Sequence, residues 1–403
     1  MSIDWMSWIE LALRWFHVIA GIAWIGASFY FVWLDTSLRR DSRTPESVAG
    51  ELWSVHGGGF YHQRKFILAP PELPEALHWF KYEAYFTWIS GFLLLVVLYY
   101  FGADLYLIDP AKAELATWQA SAIGLGVLLA GWLVYDGLCR SPLGRSGRAL
   151  GVVWFALLTA AAYALAQVFS GRGAYIHVGA IIGTAMAANV FFVIIPNQKT
   201  AVAAMRDGRE VDPALGRAAK QRSLHNNYMT LPVVFIMVSN HYPATFGHQS
   251  GWAVLAGLSL SGVLIRHVFN LRHEGRTGLG YAAAGVLVFL ATILLAAWMR
   301  PAGPAPAGPS AAQVGDAEIM AIVETHCGAC HATRPSHPAF TAAPKGLVLE
   351  SPAQLRRNAR LIREQALQSR IMPLGNATAM TDAERAALGA WLERQEEGAG
   401  DGG

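Results

Sequence analysis

Long apolar runs alternate with polar connections over the first three hundred residues, and the pattern stops abruptly after Met299. A helix needs about 20 apolar residues to cross a bilayer. Runs of that length fall at Ile9–Leu34, Glu83–Phe101, Leu115–Asp136, Ala149–Phe169, Ala174–Ile195, His225–Tyr242, Gly251–Phe269 and Leu279–Met299, which predicts eight membrane helices. The sixth is the weakest, because Pro232 interrupts it. The first is too long, and too well stocked with Trp15, His17 and Trp24, for a cleaved signal, and it reads as a retained helix. Past Met299, the Pro/Ala/Gly run from Pro301 to Pro309 cannot continue a helix and reads as an extended spacer. From about Ala317 the composition is that of a small soluble domain. The expected organisation is all-α: a bundle over residues 1–300, a linker at 301–314, a small domain over 315–397 and a disordered tail at 398–403.

Charge tests that reading independently. The first connection holds Arg39, Arg40, Arg43, Arg64, Lys65 and Lys81, the third Arg140, Arg145 and Arg148, and the fifth Lys199, Arg206, Arg209, Arg217, Lys220 and Arg222. The second holds only Lys112, the fourth only Arg172, and the sixth neither lysine nor arginine. Cytoplasmic loops concentrate positive residues. The alternation therefore places the odd connections in the cytoplasm and both termini outside a bacterial inner membrane. Composition agrees: 15% charged residues is well below the quarter usual in soluble proteins, and the 14 tryptophans suit interfacial belts. A net charge of +3, with no basic run interleaved with aromatics, argues against a nucleic-acid partner.

The sharpest chemical signal is Cys327-Gly328-Ala329-Cys330-His331. Two cysteines two residues apart suit thioether attachment of a c-type haem, and the adjoining imidazole is delivered to one face of the iron. The only other cysteine, Cys139, is far away, so neither a four-cysteine zinc site nor a disulfide framework has the material. A helical pattern leads into this motif. A Pro/His-rich loop, a helical run from Pro352 to Ser369, the segment Arg370–Gly375 and a last helix capped by Thr381-Asp382-Ala383-Glu384 follow it. That order resembles small class I cytochromes c, in which the methionine before a proline supplies the sixth ligand; here it is Met372. Met380, His326 and His337 are competing ligands.

Ten of the 13 histidines precede residue 300. Ionisable groups inside membrane helices are costly and default to functional candidates. His17 and His177 lie within helices 1 and 5, each followed by small residues, and are candidates to bind a b-type haem or another metal between them, with ordinary hydrogen bonding to a neighbouring helix as the plainer reading. A second group gathers at the cytoplasmic ends: His225, Asn226 and Asn227 open helix 6, and Arg266 and His267 close helix 7. Those helices share a short outer connection and are expected to run antiparallel with these ends level. The first loop adds His56 beside Gly57, Gly58 and Gly59, a run that permits close backbone approach to a ligand but also suits a solvated basic loop.

Taken together, Leu13–His17, His56–Gly59, Leu224–Pro232, Ser239–Pro243, Ala343–Gly346 and Met372–Asn376 resemble the bacterial membrane-bound urate oxidases (urate hydroxylases) that carry a fused C-terminal cytochrome c. The resemblance covers essentially the whole chain and is most distinctive at Leu-His-Asn-Asn-Tyr and Ser-Asn-His-Tyr-Pro. It implies oxidation of urate to 5-hydroxyisourate, with electrons passing through one covalent haem c to soluble cytochrome c or a terminal oxidase rather than directly to oxygen. His225 is then the expected base, Asn226 and Asn227 bind the purine edge, and Arg266 and His267 complete the site. Two other classes stay open: an electron-relay subunit of a respiratory complex, and a haem-dependent membrane sensor or transporter with a tethered cytochrome. If Met372 is the sixth ligand, the oxidised protein carries the weak red charge-transfer band of thioether-ligated ferric haem, and Met372→Ala removes it; persistence of the band would exclude the assignment.

Overall fold

Apolar length sets the main elements. The computed structural model describes residues 5–67, 70, 72–247, 250–299 and 314–400. Its helices are α1 (Trp5–Ser37), α2 (Tyr82–Leu95, prolonged by a π turn to Tyr100), α3 (Ala103–Tyr106), α4 (Thr117–Arg140), α5 (Gly147–Val168), α6 (Gly171–Ala188), α7 (Ile195–Arg206), α8 (Pro213–Ser239), α9 (Gly251–His273) and α10 (Leu279–Trp298). A π turn over Asn189–Ile194 joins α6 to α7 without a break. Among the described residues seven helices, counting α6–α7 as one, are long and apolar enough to cross a membrane. The expected eighth is α8. It is long, but Arg222 and the His225-Asn226-Asn227 triplet dilute its apolar content. Arg222, Asn226 and Asn227 are nonetheless buried and His225 half-buried, because α8 packs against α1, α6 and α9.

Two local expectations change. Pro232 does not interrupt α8; the helix runs through it, and Gly262 of α9 packs closely against Leu231 and Pro232. The glycine-rich first connection is the tip of an antiparallel hairpin, β1 (Val48–His56) with β2 (Gly59–Phe66). Gly57 and Gly58, at φ of 58° and 79°, make its two-residue turn, and positive φ at both central positions is the geometry that matches strand twist. Asp35 at the end of α1 pairs with Lys65 of the hairpin and, at 3.0 Å, with Lys220 of α8, which fixes the hairpin to this end of the bundle.

At the opposite end sits the C-terminal unit: α11 (Asp316–Val323), α12 (Ala329–His331), α13 (Pro352–Arg357), α14 (Ala359–Ile362) and α15 (Asp382–Gly400). It has its own core of Ile319, Val323, Leu355, Leu388, Trp391 and Leu392. Most of the expected linker lies outside the described residues, as do 401–403 of the expected tail; α15 itself continues to Gly400. The expected capping box is present: Glu384 N–H donates to Thr381 Oγ1 at 3.2 Å, and Thr381 N–H donates to Glu384 Oε2 at 2.8 Å.

The Thr381 N–H and hydroxyl, with His326 adding a third bond, hold the Glu384 carboxyl down to about 2. A carboxylate depressed on folding contributes stability above its unfolded pKa of about 4.3 and loses it as pH falls through the folded value. Thermal unfolding of the C-terminal unit is therefore expected to weaken between about pH 4.5 and 2 more in the wild type than in Glu384→Gln. Thr381→Ala should cost about 1 kcal/mol at neutral pH; equal pH profiles for wild type and E384Q would contradict the assignment.

Candidate functional site

Successive residues on a helix point about 100° apart. His225, Asn226 and Asn227 therefore cannot share one neighbour, and the structure distributes them over three sides of α8. His225 faces α4, where its Nδ1 lies 2.8 Å from the Tyr135 hydroxyl. Asn226 faces α6 and donates to the Met186 carbonyl at 2.9 Å. Asn227 faces α9, where its Oδ1 accepts from Arg266 Nε and from Asn270 Nδ2, both at 3.0 Å. His267 belongs to a third contact, with its Nδ1 2.7 Å from the Tyr228 hydroxyl and its ring edge-on to Tyr281. The expected antiparallel pairing of α8 and α9, polar ends level, is what these bonds require.

The cluster between α4, the π turn and α8 has a fixed donor direction. Arg222 Nη2 donates to Asp136 Oδ1 at 2.7 Å and Nη1 donates to Asn189 Oδ1 at 3.0 Å. Arginine has no acceptor, so Asn189 must turn its amide N–H groups the other way. They donate to Tyr135 Oη at 3.1 Å and to Asn226 Oδ1 at 2.8 Å. Tyr135, already accepting, spends its own proton on His225 Nδ1; Cys139 Sγ, 3.9 Å from the same nitrogen, is a far weaker acceptor than imidazole. Neutral His225 therefore carries its proton on Nε2 and presents a donor. In this arrangement the expected base has Nδ1 engaged by Tyr135 and Nε2 facing away from it.

The cluster between α1, α8 and α9 is different in kind. Arg266 is 3% exposed, its guanidinium lies 3.7 Å from the centre of the Phe29 ring, and no carboxylate among the described residues pairs with it. Asn227 Nδ2, Arg266 Nη2 and Asn270 Oδ1 are buried with no hydrogen-bond partner among the described residues. One helical repeat past Arg266, on the same face of α9, His273 Nδ1 is likewise unpartnered. Between α1, α6 and α8, Trp24, Ile25, Ser28, Met186, Asn226 and Thr230 line a half-open void of about 10 Å³, room for one water.

The two intramembrane histidines are not brought together. His17 Nδ1 donates to the Thr87 carbonyl at 3.0 Å, and a Cβ on Gly91 would lie 2.8 Å from its ring. His177 is fully buried, with Nδ1 bonded to the Gly173 carbonyl at 2.8 Å and Nε2 3.3 Å from the Tyr100 hydroxyl. Ser90, whose hydroxyl also lies 3.0 Å from His17 Nδ1, and Tyr100 are ten residues apart on the continuous α2 stretch, roughly 15 Å at 1.5 Å per residue. Each imidazole has its own partners, and the packing offers no single point between them.

In the C-terminal unit the donor set suits a covalently attached haem. Cys327, Cys330 and His331 share the end of one helical stretch. His331 Nδ1 donates to the Leu347 carbonyl at 2.9 Å, which fixes the ring and leaves Nε2 free. Met372 packs in the same apolar cluster as Cys327. Arg385 secures its loop, donating to the Met372 carbonyl at 2.8 Å and to the Ala366 carbonyl. Of the competitors, Met380 is buried in the core, and His326 has both nitrogens engaged, by Thr378 at 2.8 Å and Glu384 at 3.1 Å. His337 Nδ1 accepts from the Ala339 N–H at 3.2 Å.

Sequence reasoning missed Phe29, Tyr135, Asp136, Asn189, Asn270 and His273. Asp136 and Asn189 had a readable signal, an acid at the edge of one apolar run and an amide within another.

The fold and these clusters define a polytopic helical bundle with a buried polar centre at its hairpin end. Residues 4–298 match the urate oxidase N-terminal family, and the chain belongs to that family. No curated protein and no solved structure matches the chain. Membership gives it, at the level of the family, a urate-related oxidoreductase function.

Tyr135→Phe removes the donor to His225 Nδ1. Nitrogen NMR of protein labelled at histidine, with His225→Gln to assign the signal, is expected to show the Nε2–H tautomer in the wild type and a mixture in the variant. An Nδ1–H signal in the wild type would reverse the network's direction.

Proposed function

We propose that the chain oxidises urate at the hairpin end of the bundle and delivers the electrons to a haem c carried by its own C-terminal unit. Arg266 is the observation that carries this reading. A guanidinium buried without a counter-ion costs several kcal/mol, and an anionic ligand offsets that cost. Urate is a planar monoanion with an imide edge, two carbonyl oxygens flanking an N–H. The unpartnered atoms beside Arg266 complement it: Arg266 Nη2 and Asn227 Nδ2 donate, and Asn270 Oδ1 accepts. The charge-assisted bonds favour the anion over a neutral purine.

Addition of water at C5 of the urate anion, giving 5-hydroxyisourate, releases a proton and two electrons. His273, on the same face of α9 as Arg266 and Asn270, is the group assigned to take that proton. His225 lies across α8 and presents a donor, so it is assigned no part in proton removal. α1, packed on α2, α8 and α9, contributes Phe29 as the aromatic face against the guanidinium.

A haem here would be held by thioether bonds to Cys327 and Cys330 and by His331 and Met372, and would supply a one-electron acceptor of raised potential. His331 offers Nε2 because Leu347 holds Nδ1, and Arg385 keeps the Met372 loop in place. Electrons leave the chain to soluble cytochrome c or a terminal oxidase, so hydrogen peroxide is not a product. The charge alternation supports a bacterial inner-membrane location, with the hairpin end cytoplasmic and the C-terminal unit periplasmic.

Urate added under argon to the oxidised, purified protein, with oxidised soluble cytochrome c present to take the second electron, is expected to reduce its c-type haem. Arg266→Gln should raise the urate concentration for half-maximal reduction by about 10- to 100-fold, the equivalent of a lost charge-assisted bond of about 1.5–3 kcal/mol, without altering the haem spectrum. A well-folded wild type that urate does not reduce would end the proposal.

A further inference from the structure

We infer that the C-terminal unit receives its electrons while seated on the bundle, through a fixed contact made by the loop that carries Met372. The inference rests on the urate-oxidase reading above, but the contact itself is testable without it.

The seat is made by backbone close approach on both sides of Met372. Ile371, immediately before it, packs into the main core of the bundle. Gly247, in the connection between α8 and α9, meets the same strip: a Cβ there would lie 2.7 Å from Ser369 Cβ and 3.1 Å from Ile371 Cδ1. Three residues after Met372, Gly375 at φ 58° lies against α3, where a Cβ would sit 3.1 Å from the Ile108 carbonyl and 3.2 Å from that of Asp104. Arg385 ties the loop from behind, through the Met372 carbonyl and, at 3.1 Å, Asn376 Oδ1. A ligand loop clamped between its own domain and the bundle is a docked element, not the free end of a tether.

From this seat a packed aromatic run leads inward. A cavity of about 1030 Å³ lies between the two parts, with Tyr106, Arg172 and Trp252 on the bundle side and Ile371, Met380 and Arg385 on the other. The Arg172 guanidinium lies 5.0 Å from the Tyr106 ring centre and 6.0 Å from that of Tyr99. Asn240 Oδ1 fixes the arrangement, accepting from Arg172 Nε at 3.1 Å and from the Tyr99 hydroxyl at 2.9 Å. The Tyr99 ring then meets His177 edge-on at 6.4 Å. Tyr106, Tyr99 and His177 line the way from the buried core to the cavity that faces the Met372 loop and are not themselves oxidised. The two electrons of each urate cross the seat one at a time, and a one-electron haem protein outside the chain removes each in turn.

The test is a covalent lock in the full-length, haem-loaded protein, Gly247→Cys with Ser369→Cys. Disulfide-bonded cysteines have Cβ atoms about 3.5–4.5 Å apart, within reach after a small local adjustment. A protease site in the linker, cleaved before a non-reducing gel, reports whether the two parts stay joined. The bridge is expected to form when the purified protein is treated with a mild two-electron oxidant such as diamide, which is removed before the anaerobic measurements. In the bridged protein, the single-turnover rate of haem reduction by anaerobic urate should stay within about twofold of the wild type. Gly247→Trp, which wedges the seat, should slow that reduction at least tenfold while dithionite still reduces the haem and its spectrum is unchanged. Absence of the bridge, or a bridged protein reduced by dithionite but not by urate, would overturn the inference. A wild type that urate cannot reduce would fail the functional reading and the electron-entry role with it, leaving the bridge to report the seat alone.

Discussion

The cost of holding a guanidinium away from water organises the hairpin end of this molecule. Two arginines are buried there, and they resolve that cost differently. Arg222 is neutralised by Asp136 and hydrogen-bonded to Asn189, and its lack of any acceptor sets the direction of every bond from there to His225. Arg266 has an amide oxygen and an aromatic face but no carboxylate among the described residues. The first is a completed structural network. The second has no such neutralising partner among the described residues, and that asymmetry separates the completed network from the proposed urate site.

The same helix explains why the site lies where it does. α8 is too polar to be stable facing lipid, so it must be enclosed by α1, α6 and α9. Enclosure brings Asn227 against Arg266 and Asn270, and leaves α1 as the least embedded wall. The π turn at Asn189 serves the same end: it shifts the register of the α6–α7 helix so that an amide reaches Arg222, Tyr135 and Asn226 at once. At the far end of the bundle the demands are those of close approach, met by glycines where the Met372 loop lands.

Much of this was legible in the chain. Apolar runs located seven helices that qualify as membrane-spanning, and the capping box at Thr381 was readable because capping depends on neighbours in sequence. The antiparallel pairing of α8 and α9 followed from a short connection. The hairpin between α1 and α2 was missed because His56-Gly-Gly-Gly59 was weighed for ligand approach and solvation rather than as a turn between strands. The role of His225 was read from its type, yet which nitrogen carries its proton depends on Tyr135, Asn189 and Arg222, drawn from three separate helical segments.

Local and one-dimensional properties were the sequence's to determine: hydropathy period, loop charge, the Cys327–His331 spacing and the caps. Each is set by residues within a turn or two of one another or by summed composition, so no tertiary contact is needed to read it. The tertiary structure alone decided which polar groups are satisfied and which are left waiting. Satisfaction depends on partners far away along the chain, and on the 100° step that sends His225, Asn226 and Asn227 to three different helices.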